Sequence, residues 1–153
     1  IITGGISVGD YDFVKEALET LGCKELFYKV KQKPGKPLFV GLINEKPVFA
    51  LPGNPGAVAS CYHIYVKPLL QRFKGISKKN IRVTQQGVLT HDFTKKGSRP
   101  QFLKAKFDNG EITILNKQSS AMLGSFLEAN CLAMIEAEQN EMKKGDNITT
   151  YNI

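Results

Sequence analysis

The sequence is short of the residues that build most metal and redox sites. Its three cysteines, Cys23, Cys61 and Cys131, are odd in number and far apart, and they lack the close pairs that a zinc site or redox motif requires. They read as reduced core residues. The two histidines, His63 and His91, have no ligand cluster around them. Arginine is equally scarce. Of the cations behind the formal net charge of +7, only Arg72, Arg82 and Arg99 carry the planar fork that reads base edges, so a nucleic-acid partner is not expected. No apolar run approaches the roughly 20 residues that span a bilayer, and no charged, apolar and small-residue order resembles a secretion signal. The chain therefore reads as soluble and cytoplasmic, with no membrane partner.

What is present suits a packed fold. A hydrophobic fraction of 42% over 153 residues can build one ordinary domain or two small ones. Lysines are clustered: Lys29, Lys31, Lys33 and Lys36 fall within eight residues, which suits a small anionic substrate. The opening Ile1-Ile2-Thr3-Gly4-Gly5 reads as the end of a buried strand running into a turn. A domain rarely begins there, so a fragment of a longer chain is expected.

Periodicity organises the first half as α/β. After the glycine turn, Asp10 can cap a helix whose apolar residues Phe13, Val14, Ala17, Leu18 and Leu21 repeat at three- and four-residue intervals, and Gly22 can end it. Glu25 to Val30 reads as a strand, and Lys31 to Pro37 as a loop. Leu38 to Ile43 and Pro47 to Leu51 form a hairpin around Asn44-Glu45-Lys46. Gly56 to Tyr65 suits a buried helix, which Pro68 kinks or restarts. The polar stretch Lys74 to Asn80 makes a boundary. Beyond it, Ile81 to Leu89, Gln101 to Phe107, Glu111 to Leu115, Cys131 to Glu136 and Asn147 to Ile153 read as short antiparallel strands of a small all-β barrel or sandwich, with a helical turn within Ser120 to Glu128.

Three connections could carry chemistry. Thr3 to Asp12 holds three glycines that let the backbone approach a ligand, and Asp10 with Asp12 could hold a hard cation such as magnesium. The same spacing also fits a plain strand-to-helix turn with Ser7 and Asp10 as caps and an acidic first turn. Lys33-Pro34-Gly35-Lys36-Pro37 presents two ammonium groups on a loop stiffened by prolines, although charged loops are often only solvated. Leu51-Pro52-Gly53-Asn54-Pro55-Gly56 is a strand end, rigid loop and helix start. Each follows a strand of one α/β unit, and ligands of open sheets gather beyond the carboxyl ends of strands. Gly5-Ile6-Ser7-Val8-Gly9 also fits the nucleophile elbow of serine hydrolases, but that chemistry needs a downstream histidine, and neither His63 nor His91 stands in a suitable segment.

In order and separation, Gly4-Gly5-Ile6-Ser7-Val8-Gly9-Asp10-Tyr11-Asp12, Lys33-Pro34-Gly35-Lys36-Pro37 and Leu51-Pro52-Gly53-Asn54-Pro55 resemble the molybdopterin molybdenumtransferases, the MoeA proteins and the gephyrin E domain. Weaker matches continue at Phe102-Leu103-Lys104-Ala105 and Ser119-Ser120-Ala121-Met122-Leu123. The resemblance implies the C-terminal half of a MogA-like three-layer α/β domain over residues 1–73, then a C-terminal β-barrel domain over 74–153, in an elongated homodimer. It implies insertion of molybdate into adenylylated molybdopterin with magnesium and release of AMP, with this segment inactive by itself. The alternative is an inert scaffold or peptide-binding module of the gephyrin type. Carried over by position, Asp12, Lys33 and Lys36 are the catalytic residues, and Asp10 and Asp12 the metal ligands. Gly4, Gly5, Ser7, Gly9, Gly35, Pro52, Gly53, Asn54 and Pro55 line the substrate site, with Lys104 and Ser120 reaching in from the barrel. Lys104 stands where the family usually has arginine, keeping the charge but losing the fork. Gly56 replaces a more usual Val, a change that touches packing more than charge.

Overall fold

The computed structural model describes residues 1–7, 12–81, 84–119 and 123–153. Side-chain alternation decides the first half. Leu38, Val40, Phe49 and Leu51 bury against Cys61 and Val66, whereas Phe39 and Ala50 bury on the opposite side with Ile6 and Leu18. A period of two with apolar residues on both sides requires strands covered on both faces. The strands are β1 (Ile2–Thr3), β2 (Lys24–Tyr28), β3 (Phe39–Ile43) and β4 (Lys46–Leu51), in the order β1-β4-β3-β2. Helix α1 (Val14–Thr20) covers one face through Leu18. The other is covered by α2 (Pro55–Cys61), a π-helical turn (Tyr62–Val66) and α3 (Lys67–Phe73). Full burial of a single Leu such as Leu38 or Leu51 stabilises by about 1.5–3 kcal/mol.

Local chemistry explains the turns. The two residues between Ile43 and its partner Lys46 are Asn44 and Glu45, with φ of 47° and 64°, the left-handed pair that matches strand twist in a tight hairpin. Pro68 lies in the first turn of α3, where no amide hydrogen is needed, and the π turn before it absorbs the register change.

Strand direction fixes where the loops go. β4 runs parallel to β1 and antiparallel to β3, and β2 is antiparallel to β3. It follows that β1, β2 and β4 point the same way, and the connections leaving all three emerge at one edge of the sheet.

The second half is a barrel closed in the order β11-β5-β8-β7-β9, from β5 (Thr84–Leu89), β7 (Gln101–Asp108), β8 (Glu111–Ile114), β9 (Cys131–Ile135) and β11 (Asn147–Asn152). Two short strands, β6 (Phe93–Thr94) and β10 (Glu141–Met142), pair separately. A 3₁₀ turn spans Leu123–Phe126. Leu89, Leu103, Ala105, Ile112, Ala133, Ile135 and Ile148 fill the interior. The expectation of antiparallel strands throughout is corrected at one contact: β5 and β8 are parallel, Val88 opposite Glu111 and Leu89 opposite Ile112. A ring with an odd number of strands cannot alternate direction all the way round, so a parallel pair is required.

A further apolar seam joins the halves. Ile64 of the π turn packs with the outward-facing Phe102 of β7 and Leu132 of β9, and Phe102 meets Tyr151 edge to face with centroids 5.3 Å apart.

Candidate functional site

The edge where β1, β2 and β4 end carries a cavity of about 760 Å³, within the range of small-molecule sites. From the sheet side, Ser7, the loop Lys33–Pro37 and Pro52, Gly53 and Asn54 line it. The barrel supplies Arg99, Gln101, Phe102, Leu103, Gln118 and Ser119. Three cations, Lys33, Lys36 and Arg99, face a space that no acidic side chain lines among the described residues.

The Lys33 loop is held from both sides. Lys36 O accepts from the amides of Val30 and Leu38, both at 3.0 Å, which closes the loop on itself. Lys33 is welded to the barrel: its amide donates to Pro100 O at 2.9 Å, and its carbonyl accepts from the Phe102 amide at 2.8 Å. Beneath the loop lies Gln32, 2% exposed. Its Nε2 donates to Pro34 O at 3.0 Å, its Oε1 accepts from the Tyr65 hydroxyl, and its carbonyl accepts from the Arg99 guanidinium at 3.1 Å. Gly35 has φ of +91°, and a Cβ there would run into Cys61 Sγ and lie 3.0 Å from Gln32 Nε2. Burial pushes the Cys61 thiol and the Tyr65 phenol up to about 12, so both are neutral packing groups here.

Asn54 has a structural duty at the same edge. Its Oδ1 accepts from Gly56 N at 3.1 Å and Ala57 N at 3.4 Å, capping α2. Those two amides are therefore occupied by the protein's own side chain, and what Asn54 can offer a ligand is its amide NH₂.

The expected residues separate into groups. Ser7, Lys33, Gly35, Lys36, Pro52, Gly53 and Asn54 line the cavity together. Gly4 and Pro55 line a different hollow of about 620 Å³, alongside Leu51, Val58, Tyr62 and Leu123. Gly5 serves packing, since a Cβ there would approach Val14 Cγ2 to 2.8 Å. Asp12 does not line the cavity. Its charge is felt at Tyr28, whose hydroxyl donates to Ile6 O at 2.9 Å and Ser7 O at 3.0 Å. Gly9, Asp10 and Ser120 lie outside the described residues.

Lys104 differs from expectation. Side chains alternate along β7, with Leu103 and Ala105 inside and Phe102 outside, so Lys104 faces out beneath the 3₁₀ turn and is 4% exposed. Its Nζ donates to Ser119 O at 3.0 Å and to Ser125 Oγ, and it lies 5.4 Å from the centre of the Phe126 ring. Burial lowers its pKa. It braces the wall behind Ser119 and is not among the residues lining the cavity.

The hydrolase reading fails on geometry. Ser7 lines the cavity, whereas His63 lines the other hollow and His91 bonds Thr90 on the barrel. Sequence reasoning also passed over Arg99, Gln101, Gln118 and Gln32. Nothing local marks them, although Arg99 and Gln101 flank the Phe102-Leu103 pair already singled out.

Comparison with known proteins agrees with this architecture. Residues 1–72 match a family model described as a probable molybdopterin binding domain. Residues 86–153 match the MoeA C-terminal region, domain IV. This chain belongs to the MoeA family. A molybdopterin molybdenumtransferase of Bacillus subtilis is 30% identical over 152 residues, covering 97% of this chain and 35% of the relative. One from Haemophilus influenzae is 29% identical over 154 residues, covering 97% and 38%. A crystal structure of a molybdopterin biosynthesis MoeA protein from Pyrococcus horikoshii superposes with a TM-score of 0.75 at 27% identity, covering 99% of this chain and 36% of that one. The chain thus spans somewhat over a third of the MoeA-family proteins it matches. No helix among the described residues is long and apolar enough to cross a membrane.

Proposed function

We propose that this segment forms part of the active site of a molybdopterin molybdenumtransferase, in which molybdate is inserted into adenylylated molybdopterin and AMP is released. The observation that carries this reading is the concentration of Lys33, Lys36 and Arg99 around one cavity that no carboxylate lines among the described residues. Like charges held together raise the energy of the empty site, and an anion relieves it. Molybdate and the adenylyl linkage are both anionic. The two lysines neutralise the oxyanion as it meets the dithiolene, and cations fixed beforehand stabilise charge developing on the departing phosphate. Gly53 and Pro52 let the backbone approach the pterin closely, and Asn54 offers its amide NH₂.

The described residues do not build a magnesium site. No group of three His, Cys, Asp or Glu side chains comes together among them, and Asp12 alone is not a cage. Among the described residues, the side chains at the cavity that can neutralise an anion are Lys33, Lys36 and Arg99.

The test is Lys33→Ala and Lys36→Ala in the full-length protein, assayed for molybdenum insertion. A loss on the order of 100-fold with unchanged circular dichroism is expected. Wild-type rates in both variants would remove the assignment.

A further inference from the structure

We propose that Gln32 is a positioning residue for the anion site: oriented by the Tyr65 hydroxyl, its buried amide holds the backbone between Lys33 and Lys36 and keeps both ammonium groups at the cavity before an anion arrives. This rests on the anion site proposed above and names what sets its geometry.

The lysine loop works against itself. Lys33 and Lys36 line one cavity, and their like charges push the loop apart while the site is empty. The nitrogens of Pro34 and Pro37 have no hydrogen to donate, so the loop can make few bonds of its own. Its ends are fixed, through Lys33 to Pro100 and Phe102 of the barrel and through Lys36 O to Val30 and Leu38. Between those ends the backbone is met from below by Gln32 Nε2, which donates to Pro34 O at 3.0 Å, while the softer Cys61 Sγ lies 4.0 Å from Gly35 O. The amide makes a well-formed bond there, and the thiol makes only a contact at its outer limit.

Gln32 is 2% exposed and committed at both ends of its side chain. A carbonyl only accepts, so the end of the amide facing Pro34 O is Nε2, and Oε1 is left to accept from Tyr65. Burial pushes the phenol up to about 12, so it keeps the proton that it donates. The Tyr65 ring is itself seated, in the π-helical turn Tyr62–Val66 and against Phe27 with ring centroids 6.4 Å apart. The Gln32 backbone is tied as well: its amide donates to Val30 O at 2.8 Å, and its carbonyl accepts from Arg99 at 3.1 Å. An apolar side chain of the same length would fill the space under the loop without burying an amide and a phenol. A satisfied polar pair instead fixes one arrangement of the loop, which packing alone would not.

Molybdenum insertion by the full-length protein is followed with molybdate as the varied substrate, and molybdate binding is measured by calorimetry, both well below the melting transition. Gln32→Met keeps the volume and removes both side-chain bonds. It is expected to raise KM and Kd for molybdate by about 10-fold while kcat stays within about two-fold of wild type, because a loop only partly in the competent shape binds more weakly but reacts normally once filled. Tyr65→Phe, which loosens the amide without removing it, should raise both by about 3-fold. The double variant separates positioning from packing. With no buried hydroxyl left lacking an acceptor, its melting temperature should recover toward wild type, whereas its molybdate affinity should stay as low as in Gln32→Met. Affinity that recovers along with stability, or wild-type KM and Kd in both Gln32→Met and the double variant, overturns the role of Gln32 while Lys33→Ala still loses binding. The double variant and Tyr65→Phe decide in the same way if Gln32→Met does not fold. Undiminished binding in Lys33→Ala would remove the cavity reading itself.

Discussion

The two walls of the cavity are built by different means. On the sheet side the ligand-facing groups sit on loops whose shape is set by the backbone: Gly35 in the left-handed region, prolines on either side of it, and Asn54 capping a helix. On the barrel side they are side chains on loops held by distant partners, such as Arg99 bonded to Gln32 O at 3.1 Å and Gln118 bonded to Lys104 O at 2.8 Å. The first kind of wall leaves a motif in the sequence. The second does not.

Adding a side chain at a glycine of each wall should bring out this contrast most strongly. At Gly35, Ala would combine an unfavourable φ with collision against Cys61 and Gln32, and a loss of about 3 kcal/mol in urea unfolding is expected. Gly97 on the barrel loop has φ of +92° but open space around its Cβ, so Gly97→Ala should lose only the backbone preference, about 1 kcal/mol. Equal losses would mean that the sheet wall is not the more tightly constrained one.

Alkaline pH separates the same regions by titration. Burial raises Cys61 from 9.0 to about 12 and Cys131 from 9.0 to about 11. These are acids whose folded form keeps the proton that the unfolded chain releases. Their contribution is complete below about pH 9 and is lost as pH rises toward the folded value, at up to about 1.4 kcal/mol per unit for each group. Urea midpoints measured from about pH 8 to about pH 11 should therefore fall. Cys61→Ala should flatten that fall more than Cys131→Ala, because its window is wider. An unchanged midpoint across this range would contradict the assigned burial.

Much of the fold was legible because local rules and packing agreed. The alternation around Phe39 and Ala50 gave β3 and β4, and the spacing around Leu18 gave α1. The lysine loop was legible because two prolines and a glycine mark a rigid turn. Other features depend on distant partners. The parallel β5–β8 contact follows from the parity of a five-strand ring, which no single strand reveals. That Lys104 is held by Ser119 O and Ser125 Oγ could not be read from the sequence, because only the packed 3₁₀ turn shows what covers that face of β7. Gln32 looks like any polar loop residue until Tyr65, 33 positions away, is seen to close over it.

A smaller effect is expected at the helix start beside the cavity. Asn54→Ala removes the acceptor for Gly56 N and Ala57 N, and about 1 kcal/mol should be lost. Anion affinity should fall with it only if the Asn54 amide also touches the ligand. Asn54→Asp keeps the cap but brings a carboxylate to the cavity edge, so its stability should stay near wild type while molybdate binding weakens. A variant that binds molybdate as well as the parent would reduce Asn54 to a cap.

The smallest effect should come from ion pairs far from either wall. Lys15 reaches Glu19 at 3.2 Å and Glu25 at 3.4 Å on the sheet half, and Lys143 reaches Asp92 at 3.2 Å on the barrel. All are well exposed, where Coulomb attraction is screened and side-chain ordering opposes it. Asp92 also accepts from the Lys144 amide at 2.9 Å, a bond that survives loss of the lysine. Lys15→Ala and Lys143→Ala should therefore leave the urea midpoint unchanged within error. A clear drop in Lys143→Ala alone would mean that the barrel surface, unlike that of the sheet half, depends on its charges to hold the turn between β10 and β11.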